Sequence, residues 1–412
     1  MEKTELLAAV DGGAAQHGAV ALCAAGAEKA VSNELKKLGL HVTESGFGRV
    51  RFRADTAGLY RSLIGLRAAD RILLEAGFFP AAGFDDLFDK TKAVPWERLV
   101  PADAGLKVVK VRSNRSVLKA ETSIQSVVHK AAAEKLCGAL RLKRLPETGG
   151  EAEVRVHIEK DTVSLLLDLS GEPLFKRGYR PFGGAAPLRE TTAAAMLLLS
   201  GWKRKYPLYD PFCGSGTILA EALLYAWDMA PGLGRSFAIS RLLIADKKIE
   251  ETVRNEFRGR INFERTIRVA GSDEDPAMVK LALSNLRRAA ALPGSDFQAA
   301  KLPEVHLPKV HLPKVNTLPM QKALPPFAAE GERPCGFIVT NPPYGKRLGD
   351  TETSQRIYKE MAVLARNFPG WKLAVITDHP GFESFFGRKA GSCREITGGP
   401  VHSYFFEFEE LQ

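Results

Sequence analysis

The sequence predicts an α/β protein in which a compact α+β module precedes a doubly wound domain with a largely parallel sheet. Up to about residue 178, strand and helix patterns are mixed and joined by short connections. Beyond that point an apolar helix is followed, from Leu208 onwards, by short strands that alternate with helices. A chain of 412 residues is also too long for one ordinary core, so we expect two or three domains.

Composition excludes several classes of protein. With 45% hydrophobic and 26% charged residues the chain has a globular composition, and no run reaches the roughly 18 apolar residues that span a bilayer. Asp11 interrupts the apolar run near the N-terminus, which argues against a secretory signal and favours a cytoplasmic protein without a membrane partner. The cysteines lie far apart, without the spacing of a zinc site, so we expect reduced thiols and no metal.

The formal net charge of +10 makes a polyanion a plausible partner. Each Lys or Arg that meets a phosphate releases condensed counterions, which favours binding to nucleic acid. Many basic proteins bind no nucleic acid, so the charge alone does not identify the partner.

The N-terminal module begins after a Gly/Ala-rich segment, residues 1–18, that we expect to be a disordered tail. The pattern then predicts a strand over Val20–Cys23 and a helix over Glu28–Leu38 that ends at Gly39. Residues Gly48–Arg53 alternate Val or Phe with Arg, which predicts a strand with one apolar and one cationic face.

The second half of the module contains another basic strand, Leu106–Arg112. Apolar residues at helical spacing predict a helix over Thr122–Leu136. Val154–Ile158 and Thr162–Leu169 then predict two strands that could form a hairpin.

Low complexity marks one later segment. Residues 301–315 are three near-copies of a five-residue unit with a proline in each, and we expect an exposed extended loop over about 301–326. His306 and His311 recur with the repeat, so duplication explains them better than a metal site does.

A glycine-rich turn forms the first functional motif, Asp210–Thr217, between a predicted strand and a predicted helix. Gly214 and Gly216 permit a close approach of a ligand to the free N–H groups at the helix start. The three-glycine dinucleotide spacing and the P-loop lysine are both absent. The amino-acid end of S-adenosylmethionine (SAM) fits, with its carboxylate at the helix start and Asp210 near its cationic groups, although a structural turn would look similar.

The second motif is an acidic strand end. Val269–Asp275 predicts a strand that ends in acids, where Asp273 could hold a ribose diol and Asp275 could cap the helix that follows. The distance from the glycine loop exceeds the usual twenty or so residues, so we expect an insertion over about 230–266. A solvated acidic turn explains this motif equally well when it is taken alone.

The third motif is Asn341-Pro342-Pro343-Tyr344, directly after the apolar strand Gly336–Thr340. An exocyclic amine is a poor nucleophile because its lone pair is delocalised into the base. A site that accepts both amine hydrogens, here through the Asn341 side-chain oxygen and the Pro342 carbonyl, would free that lone pair. The prolines stiffen the turn, and Tyr344 can stack on the base. The three motifs in this order predict methyl transfer from SAM to an exocyclic amine.

With these motifs the sequence resembles the bacterial THUMP-domain class I RNA methyltransferases that make N2-methylguanosine in 23S ribosomal RNA. The resemblance runs from about residue 19 to the end. The residues that carry it are Leu66–Ile72, Phe84–Phe88, Ser170-Gly171, Lys176–Arg180, Asp210–Thr217 and Asn341–Gly349.

The resemblance implies a ferredoxin-like plus THUMP region over 19–168 that binds RNA, and a Rossmann-like methyltransferase domain over 169–412. It implies a SAM site lined by Asp210, Phe212, Gly214, Gly216, Thr217 and Asp273. Asn341, Pro342 and Tyr344 would be catalytic and would hold a guanine of large-subunit ribosomal RNA. Candidates for contact with the RNA backbone are Lys107, Lys110, Arg112, Arg115 and Lys119. The segment Lys176–Arg180 could touch either SAM or RNA.

Two stretches depart from the family pattern. Related enzymes often place an acid or amide at the adenine edge, where this chain has Phe297–Lys301 and then the repeats. The acidic N-terminal tail is also additional. Neither departure involves the residues assigned to methyl transfer.

Other functions share parts of this pattern. The Asn-Pro-Pro-Tyr turn also suits adenine N6 in RNA or DNA, a guanine of tRNA, or a protein glutamine amide. A non-catalytic RNA-binding protein and a nicotinamide-dependent oxidoreductase are further alternatives, disfavoured by the intact motifs and by the missing dinucleotide fingerprint respectively.

Overall fold

The structure is a computed structural model that describes residues 15–146, 150–181, 188–292, 312–327, 335–343, 351–398 and 402–411. Its strands are β1 His17–Cys23, β2 His41–Gly46, β3 Arg49–Ala54, β4 Ala69–Pro80, β5 Gly105–Asn114, β6 Glu151–Glu159, β7 Thr162–Asp168, β8 Leu208–Asp210, β9 Val269–Asp273, β10 Lys314–Thr317, β11 Phe337–Thr340, β12 Lys372–Thr377, β13 Ser392–Thr397 and β14 His402–Phe408. Its α-helices are α1 Glu28–Lys37, α2 Thr56–Gly65, α3 Phe84–Ala93, α4 Glu121–Leu140, α5 Glu190–Leu199, α6 Thr217–Ala226, α7 Lys247–Gly259, α8 Pro276–Ala290, α9 Thr351–Glu360, α10 Val363–Asn367 and α11 Phe382–Phe386.

The N-terminal sheet has seven strands in the order β2-β3-β1-β4-β7-β6-β5. Neighbouring strands are antiparallel except for the β5–β6 pair. As the alternation predicts, Val50 and Phe52 of β3 are buried in the core that includes α1 and α2. Val20, Leu73 and Leu166 form a separate small cluster, because residues of alternate positions point to the opposite face of the sheet.

The second sheet also has seven strands, in the order β10-β9-β8-β11-β12-β14-β13. The neighbouring strands in the run β10-β9-β8-β11-β12 are parallel. At the edge of the sheet, β14 pairs antiparallel with β12, and β13 pairs antiparallel with β14. Helices α5, α6 and α8 pack together with this sheet in the main core, while α9 to α11 belong to a second core cluster. The predicted doubly wound domain with a largely parallel sheet is confirmed.

A buried polar network joins the two sheets. Glu34 of α1 accepts hydrogen bonds from the backbone N–H groups of Arg67 and Ala68, each at 3.0 Å. The Arg67 guanidinium donates to the Met229 carbonyl at 2.8 Å, and Arg177 donates to the Arg67 carbonyl. Charged groups without water need such partners, so this network fixes how the N-terminal module lies against the catalytic half.

Two expectations about irregular segments are wrong in part. Strand β1 begins at His17, inside the predicted tail, because His17 pairs with Ala54 of β3; residues 1–14 lie outside the described part. The last repeat copy contributes Lys314 and Val315 to β10, which pairs with β9 at the sheet edge, whereas a loop was expected over about 301–326. Pro313 stands just before this strand, so it removes no hydrogen bond from the ladder. Residues 301–311, with His306 and His311, lie outside the described residues, as do 293–300.

The segment between α6 and β9 contains the short 3-10 helix Ala238–Arg241 and helix α7, which packs on α2 of the N-terminal module. In the described ranges, no helix combines the length and apolar character needed to cross a membrane.

The contact between the two halves can be tested at Gly26. Its φ is +93°, and a Cβ there would lie 2.0 Å from the Glu395 carbonyl oxygen of β13, next to the bridge between Ala25 and Thr397. Gly26→Ala would suffer both from the positive φ and from the clash with the Glu395 carbonyl. We expect it to lower the melting temperature of the protein by more than about 4 °C.

Gly39→Ala is the matched control for thermal denaturation. Gly39 also has a positive φ, +76°, but no atom lies within 4 Å of the point that a Cβ would occupy. Equal melting temperatures for the two variants would show that the Gly26 contact between the halves does not contribute to stability.

Candidate active site

A cavity of about 740 Å³ opens where β8, β9 and β11 end. Ligands of open α/β sheets bind at the carboxyl ends of the strands, and this volume is in the range of small-molecule sites. The glycine loop, the end of β9 and the Asn341 turn line one part of the cavity, and side chains of α8 and α9 complete it. The three sequence motifs therefore meet at one place.

The glycine loop connects β8 to α6. Gly216 has a φ of +79° and directly precedes the helix; a Cβ there would lie 2.9 Å from the Ala282 Cβ of α8. A larger residue would push the loop away from α8. Close packing at Gly216 therefore holds the first turn of α6, with its free N–H groups, at the cavity.

Asp210 is the buried acid at the end of β8. Its side chain is 1% exposed, and Oδ1 accepts hydrogen bonds from the Thr340 hydroxyl at 2.6 Å and the Phe212 N–H at 3.1 Å. Burial raises the pKa of Asp210 to about 7, and the nearby Asp273 carboxylate adds to this shift. A cation in the cavity would stabilise the ionised form.

Asp273 at the end of β9 ties the loop to the next helix. Its Oδ2 accepts a hydrogen bond from the Gly214 N–H at 2.9 Å and its Oδ1 accepts one from the Asp275 N–H at 3.0 Å. Each carboxylate oxygen retains capacity for a further donor, such as a hydroxyl of a ligand. Asp275 caps α8 through the Ala277 N–H at 2.8 Å, as the sequence predicts, and Glu274 lies on the cavity wall between the two acids.

The Asn341 turn follows β11 and is anchored from α9. The Tyr358 hydroxyl donates to the Pro343 carbonyl at 3.4 Å and shares a hydrogen bond with Thr377 at 2.8 Å. Asn341 lines the cavity, and its side-chain oxygen Oδ1 is buried without a hydrogen-bond partner among the described residues. A buried acceptor of this kind is costly unless a ligand supplies the donor.

The predicted SAM and catalytic residues are largely brought together. The cavity is lined by Asp210, Phe212, Gly214, Thr217, Asp273, Asn341 and Pro342. Gly216 does not line the cavity, but its close packing against Ala282 of α8 positions the glycine loop. Tyr344 lies outside the described residues. Sequence reasoning did not identify Thr340 or Tyr358 as site residues; Thr340 directly precedes Asn341, but Tyr358 has no signal in the local sequence.

The expectation that Lys176–Arg180 touches SAM or RNA is wrong for its buried arginine. Arg177 is 1% exposed and donates to the Leu174 carbonyl at 2.7 Å within the network at the junction of the halves. Arg180 donates to the Thr217 hydroxyl at 2.6 Å and pairs with Glu190. Arg180 therefore stabilises the first residue of α6. Thr217 lines the cavity, but its hydroxyl already accepts a hydrogen bond from Arg180.

The predicted RNA-binding residues all lie away from this cavity, at β5 and the segment that follows it. Lys107, Lys110, Arg112, Arg115 and Lys119 are exposed. Lys107 is paired with Glu151 at 3.5 Å, whereas Lys110 and Arg112 face a second cavity on the N-terminal sheet.

Comparison with known protein families gives three matches in series. Residues 19–73 match the RlmL ferredoxin-like domain, and residues 81–168 match the THUMP domain. Residues 177–316 and 320–403 match the RMKL-like methyltransferase domain. The first two matches span the N-terminal sheet, and the third spans the second sheet.

Individual proteins are similar over nearly the whole chain. YpsC of Bacillus subtilis (strain 168), described provisionally as an RNA methyltransferase, is 33% identical over 393 residues, which cover 94% of this chain and 95% of that protein. The ribosomal RNA large subunit methyltransferase K/L of Allochromatium vinosum is 30% identical over 92% of this chain, which spans 50% of that longer protein. The crystal structure of SMU.472, described provisionally as a methyltransferase and complexed with SAH, has a TM-score of 0.82 and 32% identity, covering 96% of this chain and 99% of that one.

Proposed function

The chain belongs to the RMKL-like methyltransferases that carry an RlmL-type ferredoxin-like domain and a THUMP domain, and we propose that it transfers a methyl group from SAM to the N2 amine of a guanine in 23S ribosomal RNA. We assign RNA binding to residues 19–168 and methyl transfer to residues 169–412. The observation that carries the proposal is the buried side-chain oxygen of Asn341, which lines the cavity and has no hydrogen-bond partner in the described part of the chain.

The residues of the cavity suit SAM. The N–H groups at the start of α6 can receive its carboxylate, and the Asp210 carboxylate can balance its cationic groups. Asp273 and the neighbouring Glu274 line the cavity, and their carboxylates could accept hydrogen bonds from the ribose hydroxyls. The similar structure of SMU.472 holds SAH, the product that remains after methyl transfer. SAM supplies an electrophilic methyl group when it is bound.

Asn341 and Pro342 would orient the acceptor amine. The Asn341 side-chain oxygen and the Pro342 backbone carbonyl are two acceptors on one turn, so they can receive the two hydrogens of a planar amine and direct its lone pair into the cavity. Tyr358 holds the Pro343 carbonyl, which keeps this turn in place. Once the nitrogen carries the methyl group and a positive charge, its proton is acidic enough to leave without a strong base. Tyr344 is proposed to stack on the base.

Two observations support RNA as the substrate. One is the THUMP match, and the other is the similarity to a protein named as a ribosomal RNA large subunit methyltransferase, of which this chain spans half. Lys107, Lys110, Arg112, Arg115 and Lys119 are proposed contacts to the RNA backbone. The geometry of the Asn341 turn serves adenine N6 equally well, so the acceptor has to be decided by analysis of the product.

Loss of the gene should remove one N2-methylguanosine from the large-subunit ribosomal RNA. Mass spectrometry of nucleosides from purified 23S RNA would show the loss, primer extension would locate it, and re-expression of the wild-type gene should restore it. Loss of N6-methyladenosine, or of a methylated guanosine in tRNA, with an unchanged 23S RNA would instead identify one of the alternative acceptors.

Replacing Asn341 by Ala should lower turnover by about a hundredfold or more, because one acceptor for the amine hydrogens is lost while the cofactor contacts remain. Single-turnover methyl transfer and calorimetric binding of SAH would separate the two effects. Asn255, an exposed residue on α7, provides the control variant Asn255→Ala, which should keep wild-type rates. Turnover within a few-fold of wild type in N341A would contradict the assigned role.

Binding of SAH should depend on pH through Asp210. Its folded pKa is raised to about 7, so below that pH the side chain is neutral and loses its attraction for the cationic amino group. We expect affinity to fall by up to about tenfold per pH unit below pH 7 and to level off above it.

Calorimetry across this range can be repeated with Asp210→Asn, which should bind weakly with a flat pH profile. Asp103→Asn, a change at an exposed residue, should keep the wild-type profile. A wild-type affinity that is independent of pH would exclude this role for the Asp210 carboxylate.

A further inference from the structure

Thr217 presents a hydroxyl to the active-site cavity where α6 begins. The residue is 4% exposed and lines the cavity, and its hydroxyl oxygen accepts a hydrogen bond from Arg180 Nη1 at 2.6 Å. A guanidinium has only donors, so Arg180 makes no use of the Thr217 hydroxyl proton. In the described ranges no acceptor takes that proton either. The Thr217 O–H is therefore available to an acceptor that enters the cavity.

Arg180 is held in one orientation by its other contacts. Its Nη1 also donates to the Leu188 carbonyl at 3.1 Å, and its Nη2 lies 3.1 Å from the Glu190 carboxylate. The side chains of Arg180 and Glu190 are 8% and 6% exposed. Since the donors of a guanidinium form a rigid planar fork, these contacts fix the direction from which Arg180 meets Thr217.

The charge of Arg180 is not directed at the cavity. Arg180 does not line the cavity, and the carboxylate of Glu190 balances its charge. Burial raises the pKa of Glu190, and the positive charge of Arg180 opposes this shift. The pair therefore adds little net attraction for an anion, so its effect on a ligand has to pass through Thr217.

Stability alone explains this ion pair poorly. The second carboxylate oxygen of Glu190, Oε2, is buried and has no hydrogen-bond partner in the part of the chain that the structure describes. The desolvation cost of a buried ion pair is offset only when its remaining polar atoms also have partners. A contribution to ligand binding would account for retaining the pair.

The residue before Arg180 holds the same helix one turn further on. The Tyr179 hydroxyl donates to the Glu221 carboxylate at 3.0 Å. Glu221 follows Thr217 by four positions, so both lie on one side of α6. Tyr179 and Arg180 therefore fix the first two turns of the helix whose free N–H groups face the cavity.

Contacts with the N-terminal module locate the partner of Arg180. Glu190 is the first residue of α5, and its neighbours on both sides contact Asp70 of β4. The Thr191 hydroxyl donates to the Asp70 carboxylate at 2.5 Å, and Arg189 pairs with that carboxylate at 3.5 Å. The position of Glu190, and with it that of Arg180, thus depends on the junction between the two halves.

We propose that Arg180 is a positioning residue for SAM, which holds the Thr217 hydroxyl so that its O–H points at the SAM carboxylate. A hydrogen bond from a hydroxyl to a carboxylate is charge-assisted and adds to those from the N–H groups at the start of α6. The inference rests on the proposed placement of this carboxylate, and it does not depend on which base accepts the methyl group.

Calorimetric binding of two probes to the full chain tests the proposal. One probe is SAH, and the other is decarboxylated SAH, which lacks only the carboxylate. Thr217→Val keeps the shape of the side chain and removes its hydroxyl. It should weaken SAH binding by about tenfold or more, because a hydrogen bond to a charged group is lost, and should change the binding of decarboxylated SAH by less than about twofold.

The double variant Arg180→Met/Glu190→Gln tests the role of Arg180 itself. It removes both charges, so neither is left buried without its partner. We expect it to weaken SAH binding by about tenfold and the binding of decarboxylated SAH by less than about twofold. Adding R180M/E190Q to T217V should cause no further loss of SAH affinity, because Arg180 acts through Thr217.

Arg254→Met/Glu250→Gln is the matched control. Arg254 is 11% exposed, pairs with Glu250 at 2.7 Å and donates to two backbone carbonyls, but it lies on α7 and does not line the cavity. This variant should bind both probes like wild type. The proposal is overturned if R180M/E190Q binds SAH like this control, if it loses affinity equally for both probes, or if T217V binds SAH like wild type.

Failure of this inference differs from failure of the proposed function. A wild-type chain that binds SAH but modifies a base other than guanine would refute the proposed acceptor and leave the role of Arg180 intact. Unchanged selectivity for SAH over decarboxylated SAH in T217V and R180M/E190Q would refute the role of Arg180 and leave methyl transfer to guanine intact.

Discussion

The hydrogen bond from the Thr340 hydroxyl to the buried Asp210 carboxylate joins the two strand ends on which the candidate active site is built. Asp210 begins the glycine loop, and Thr340 directly precedes the Asn341 turn. The bond therefore fixes the distance between the side of the cavity suited to SAM and the side suited to an amine. Burial of this carboxylate raises the pKa of Asp210 to about 7, although the hydrogen bond from Thr340 acts in the opposite direction. The ionised form of Asp210 would therefore gain stability from a cationic partner in the cavity.

A second constraint acts between the two halves of the protein. Glu34, Arg67 and Arg177 are buried where the N-terminal module meets the catalytic half. Arg67 and Arg177 make hydrogen bonds across the junction, and Glu34 holds the backbone of Arg67 and Ala68 within the N-terminal module. Removing one member would leave a buried charge without compensation, which is costly. The network thus favours one relative placement of the two sheets.

Local patterns predicted most of the elements correctly. Alternation of Arg with Val and Phe predicted the two faces of β3, and Asp275 was recognised as a helix cap because its side chain and the helix start are adjacent in sequence. The prediction of a loop over the repeats was wrong at β10. Proline spacing identifies where a strand cannot continue, but it does not show that a free sheet edge, here that of β9, is available for pairing.

The sequence by itself determined the motifs and their order: the glycine loop after Asp210, the acids after β9, and the Asn341 turn. These are short-range features, in which the backbone requirement and the residue that meets it lie within a few positions. Only the tertiary structure decided that Tyr358 anchors the turn, that Arg177 is buried at the junction, and that Arg49, Lys110 and Arg112 share one cavity. Periodicity shows which face of its own element a residue occupies, but what packs against that face depends on contacts between residues distant in the chain.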